Sequence, residues 1–73
     1  MDLIKLHHVK EFAKEQLPKW GLDDWKFVWD IRAVRRYGQC RYDKKEIGVT
    51  KKLANINSIE ESKDVVLHEI AHA

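Results

Sequence analysis

The chain has 73 residues, 36% of them charged and 44% hydrophobic, with a formal net charge of +2. That length allows one domain with a modest core, and the composition fits a soluble globular domain with no repeat, linker or low-complexity stretch. Cys40 is the only cysteine, so no disulfide forms within the chain, and no apolar run is long enough to cross a membrane. A lone thiol and the lack of a signal peptide predict a reducing, cytoplasmic setting with no membrane partner.

Residues 3 to about 17 predict an amphipathic helix. Asp2 stands at the N-cap position, Leu6, Val9, Ala13 and Leu17 recur at helical spacing, and Pro18 and Gly21 mark the end. His7 and His8 fall in this helix and read as surface histidines, with a metal role as the lesser alternative. Residues 25 to 33 carry the clearest strand pattern. Trp25, Phe27, Trp29, Ile31 and Ala33 alternate with Lys26, Val28, Asp30 and Arg32, a period of two that buries one face. The aromatic rings share that face, which makes them core rather than ligand stackers.

Tyr37 to Tyr42 and Glu46 to Thr50 predict two more strands, joined as a hairpin through Asp43-Lys44-Lys45. Gly38 and Gly48 lie inside them, where glycine marks a bulge, a packing constraint or the close approach of another backbone. Thr50 is placed to cap a short helical turn through Leu53 and Ala54, and Asn55 and Asn57 break the chain after it. Ser58 and Glu61 then form an S-x-x-E capping box. No glycine or proline follows, and Ile59, Val66, Leu67 and Ile70 supply an apolar helical face interrupted by Lys63. Helix, three antiparallel strands, helix is an α+β arrangement with both helices on one face of the sheet.

The last helix ends in His68-Glu69-Ile70-Ala71-His72, an H-E-x-x-H motif. Positions i and i+4 lie one turn apart on one helix face, so His68 and His72 can direct two imidazoles at one metal ion. Glu69 then takes the place of the general base of a zinc hydrolase. A catalytic zinc takes three protein ligands and a water, and the motif supplies two. The plainer reading is a surface histidine pair at a helix C-terminus, where the helix dipole favours positive charge.

Charge is unevenly spread. Residues 32 to 45 carry Arg32, Arg35, Arg36, Arg41, Lys44 and Lys45 against Asp43 alone, and Lys51 and Lys52 follow. A local surplus of this kind attracts phosphates, which makes Arg35, Arg36, Arg41, Lys44 and Lys45 candidate nucleic-acid contacts. A solvated sheet face accounts for the same run.

The ordered set Tyr37-Gly38-Gln39-Cys40, Ile47-Gly48-Val49-Thr50, Leu53 and Val66 to Ala73 resembles the SprT-like family of zinc metalloproteases. Trp25, Phe27 and the Arg35-Arg36 pair before Tyr37 fit as well, so the similarity covers most of residues 20 to 73. The resemblance implies a zincin-like minimal core: an N-terminal helix, a three-stranded antiparallel sheet and a C-terminal active-site helix. It implies Zn2+ held by His68 and His72, Glu69 activating the water, and a protein or peptide substrate. Members act on proteins at DNA, which gives the basic stretch a purpose in DNA–protein crosslink repair. The family's third ligand is a histidine on a following helix. No residue here matches it, so residues 1–73 read as a single domain of this type, truncated or minimal at its C-terminus.

Three functions remain open at this point. The first is a SprT-like metallopeptidase. The second is a non-catalytic metal-binding module, in which two chains meet at their motif helices and form a metal-bridged homodimer. The third is a small basic DNA-binding domain.

Overall fold

The computed structural model describes residues 3–33 and 35–73; the expected Asp2 cap lies outside them. The elements in chain order are α1 (Leu3–Lys19), β1 (Lys26–Asp30), β2 (Gly38–Arg41), β3 (Glu46–Thr50), α2 (Lys51–Ile56) and α3 (Ile59–His72).

α1 buries Leu6, Val9, Ala13 and Leu17, the stripe its spacing predicts. It runs past the expected end, with Pro18 in its last turn. It is closed by Gly21 at φ +78°, with the Leu22 amide donating to the Leu17 carbonyl (2.8 Å) and the Gly21 amide to the Pro18 carbonyl (3.1 Å). That pair of bonds is a Schellman closure, which needs a left-handed residue and therefore favours glycine.

β1 is shorter than its alternation suggests. The Asp30 carboxylate accepts from the amides of Arg32 (2.9 Å) and Ala33 (3.0 Å), turning the chain out of the sheet. Ile31 is consequently 78% exposed instead of extending the apolar face.

The class is α+β as expected, but the sheet is mixed. Its order is β1-β3-β2. β2 and β3 form the expected antiparallel hairpin, with Cys40 opposite Ile47 and Gly38 opposite Val49. β1 instead runs parallel to β3, pairing Phe27 with Ile47 and Trp29 with Val49. The expectation of three antiparallel strands fails because alternation sets which face a residue occupies and says nothing of strand direction.

Phe27, Trp29, Ile47, Val49, Gly38 and Cys40 share the inner face by this register. Ile47 and Val49 on the central strand are fully buried. α1 packs on β1 and α3 packs on β3 and β2, and the two helices also touch each other, so both cover one face. Lys63, which interrupts the α3 stripe, sets its ammonium 5.1 Å above the Phe12 ring of α1.

Thr50 occupies the N-cap of α2 without capping it; its hydroxyl donates to the Arg36 carbonyl. The carbonyls of Asn55 and Asn57 at the other end of α2 accept from the Lys5 ammonium at 2.7 and 2.6 Å. Among the described residues no helix is long and apolar enough to cross a membrane.

Candidate metal centre

α3 carries the motif, and its start is defined chemically. The Ser58 side chain accepts from the Glu61 amide at 3.1 Å, and Glu60 and Glu61 place negative charge in the first turn. Ser62, Val66 and Ile70 are the buried line of the helix. The Ser62 hydroxyl reaches the Tyr37 phenol at 2.7 Å, so the polar member of that line is satisfied against the sheet. With 62, 66 and 70 turned inward, His68 and His72 fall on an exposed flank.

The two imidazoles converge. Their Nε2 atoms are 3.1 Å apart, and the rings meet edge to face with centroids 4.6 Å apart. As neutral rings, one Nε2–H donates to the other Nε2. The same separation suits two ligands of one cation. With zinc–nitrogen bonds of about 2.0–2.1 Å, a 3.1 Å gap corresponds to an N–metal–N angle of roughly 100°, close to tetrahedral. The pair fits two corners of a zinc site. Among the described residues no group of three or more His, Cys, Asp or Glu side chains gathers as a metal site.

Glu69 lies one step around the helix from His68, half-buried toward β2. A methyl group added at Gly38 would stand 3.0 Å from the Glu69 Cγ and 3.1 Å from its Oε2, with Val65 Cγ1 at 2.6 Å. Gly38 is therefore a packing requirement: its bare Cα lets the motif helix sit down on the edge strand beside the Glu69 carboxylate. The sequence marks Gly38 as a strand glycine, but only the packed helix identifies what approaches it.

Two further residues reach this corner. The Tyr42 phenol donates to the His72 carbonyl and so ties the β2–β3 turn to the last turn of α3. Tyr42 also packs edge to face on Trp25, with centroids 6.0 Å apart. The Cys40 thiol is half-buried on the inner face of β2. Burial pushes its pKa up; the nearby Glu69 charge adds to this, and a hydrogen bond with Tyr42 opposes it. A thiol held protonated is a poor metal donor. Nothing in the local sequence signals the Tyr42 tether, which joins residues thirty positions apart.

Four of the five basic candidates line two depressions that share Arg32. Arg35 and Arg36 are exposed and line one of about 340 Å³ with Arg32. Arg41 and Lys44 line another of about 310 Å³, again with Arg32, but Asp30 and Glu46 share it. Arg41 is paired with Glu46 at 3.4 Å and Lys45 with Asp24, so two of the five cations face carboxylates. His7 and His8 are exposed on α1.

An H-E-x-x-H helix laid over a small mixed sheet, its histidines converging at the surface, defines an α+β domain with the motif helix packed on β2 and β3. The SprT-like family model matches residues 4–73, and the chain belongs to the SprT-like family. No curated protein matches the chain, and no solved structure does.

Proposed function

We propose that this chain is a zinc-dependent metallopeptidase domain, with Zn2+ held by Nε2 of His68 and His72 and with Glu69 as general base. The observation that carries the reading is the 3.1 Å convergence of the two exposed Nε2 atoms, with the motif glutamate directed to the edge strand. Bound zinc would supply a Lewis acid for the scissile carbonyl and bring the pKa of a bound water toward about 7.

The chain's own residues do the rest. Glu69 accepts the proton of the attacking water and delivers it to the departing amine nitrogen. Among the described residues β2 pairs only with β3, so its other edge is open to an extended peptide that hydrogen-bonds alongside Glu69. Gly38 keeps that corner clear. The test is cleavage of a fluorogenic peptide with zinc added. Glu69→Gln should lower turnover by about 10²–10⁴-fold while leaving zinc stoichiometry unchanged. Equal turnover in the variant removes Glu69 from the mechanism.

A second reading rests on there being two converging donors. Two chains meeting at His68 and His72 would offer four imidazoles to one ion, a closed structural site that binds without turnover. Sedimentation with and without zinc separates the readings, since this one requires zinc-dependent dimers. A protein substrate held at DNA belongs with the first reading, through Arg32, Arg35 and Arg36 in one depression and Arg41 and Lys44 in the next. It predicts salt-sensitive DNA binding that weakens when Arg35 and Arg36 are neutralised. A cytoplasmic, DNA-associated location follows from that reading and from the lone thiol.

A further inference from the structure

The sheet has two outer strands, and the second of them, β1, borders an open groove. About 510 Å³ of open space lies between α1 and β1. Its floor is apolar, formed by Leu17, Trp25 and Phe27, and its rim carries Lys10, Lys14 and Lys26 against one acid, Asp23. Lys10 and Lys14 sit one helical turn apart beside the buried stripe of α1, so they point along the groove together. Lys10 and Lys26 make no ion pair among the described residues, and Lys14 reaches Glu11 only at 3.7 Å with both groups exposed.

The backbone of β1 is the second element of the site. The Lys26 amide donates to the Lys45 carbonyl, toward β3, at 2.9 Å. Backbone groups alternate sides along a strand, so Lys26, Val28 and Asp30 serve β3, and the N–H and C=O groups of Phe27 and Trp29 point to the open edge. Among the described residues no strand other than β3 pairs with β1. An open edge beside a groove is a template for an added strand. Lysines along it repel a second copy of the same edge and attract carboxylates, so charge selects the guest.

We propose that the α1–β1 groove docks an extended acidic peptide segment of a partner protein, which adds to β1 through the backbone of Phe27 and Trp29 and sets its carboxylates against Lys10, Lys14 and Lys26. An extended peptide fits better than nucleic acid because the edge offers alternating donors and acceptors at strand spacing. The groove lies at the opposite edge of the sheet from Glu69, so the proposal does not rest on the metal reading.

The probe is a short capped peptide alternating glutamate and valine, followed by amide NMR shifts and hydrogen exchange on the full chain. Binding should shift the Phe27 and Trp29 amides and slow their exchange. A charge reversal, Lys10→Glu with Lys26→Glu, should weaken binding by roughly tenfold or more; Lys10→Gln with Lys26→Gln gives a milder loss with less risk to folding. The same peptide N-methylated at alternate residues keeps its charge and loses strand pairing, and it should not bind. Equal binding of the methylated peptide, equal binding of a lysine–valine peptide, or unmoved Phe27 and Trp29 amides would each overturn the proposal. So would a single-stranded oligonucleotide that produces the same protection where the acidic peptide produces none.

Discussion

Replacing Gly38 with alanine tests how closely the motif helix depends on its contact with β2. The added Cβ would lie 2.6 Å from Val65 Cγ1 and 3.0 Å from Glu69 Cγ. Carbon atoms in contact rest at about 3.5–4.0 Å, so the overlap with Val65 is on the order of 1 Å. Valine in a helix has essentially one side-chain rotamer, so the methyl cannot swing aside and α3 itself must lift. Overpacking of this kind costs about 1–3 kcal/mol. Restricting the unfolded chain by replacing glycine recovers about 0.4–1 kcal/mol. The net expectation is a loss of about 1–2 kcal/mol, which lowers Tm by about 4–8 °C per kcal/mol in a domain of this size.

Thermal unfolding by circular dichroism measures that loss, and a double-mutant cycle assigns its cause. In a Val65→Ala background the clashing methyl is gone, so the Gly38→Ala penalty should shrink by more than half. A Gly38→Ala variant as stable as the parent, or one with the same penalty in both backgrounds, would refute the steric argument. If Glu69 acts as proposed, Gly38→Ala should also lower turnover more than zinc affinity, because the displaced group is the carboxylate rather than an imidazole.

Tyr42→Phe removes the tether to the His72 carbonyl; a single hydrogen bond contributes about 0.5–1.5 kcal/mol, so amide exchange in the last turn of α3 should quicken by roughly three- to tenfold, and unchanged exchange would show that the turn holds without it. Ser58→Ala deletes the side-chain acceptor of the Glu61 amide and should cost about 1 kcal/mol, measured as a lower urea midpoint at unchanged slope. Asp30 has a carboxyl held below its ordinary range, chiefly by the Ala33 amide and then by the Arg32 amide. A depressed folded pKa contributes stability that is complete above the unfolded value of about 3.9 and is lost as pH falls through the folded value. The parent should therefore lose stability on acidification below about pH 4, and Asp30→Asn should lack that part of the slope while already being weaker at neutral pH. An identical acid limb in both proteins would exclude Asp30 as its source.

Local physics made much of this chain legible in advance. The Ser58–Glu61 box, the four-residue spacing of His68 and His72 and the absence of helix breakers are all contained within a few turns, and α3 forms as they indicate. The Leu6, Val9, Ala13 and Leu17 stripe and the β2–β3 hairpin are similarly short-range, and both are present. Where a strong local competitor acts, the pattern misleads: the alternation runs on to Ala33, yet the Asp30 carboxylate captures the next amides and ends β1.

Tertiary structure alone decided which strands are neighbours and what touches the motif. Period-two alternation is the same for a parallel and an antiparallel partner, so the placement of β3 between β1 and β2 had no signature in the residues. That placement leaves β1 and β2 as open edges, one beside the lysine-rimmed groove and one beside Glu69. The role of Gly38, the reach of Tyr42 to His72 and the pairing of Lys45 with Asp24 all join groups distant along the chain. Side-chain spacing along one element orients residues on that element; contacts between elements depend on how the helices settle on the sheet, a property of the whole packed core.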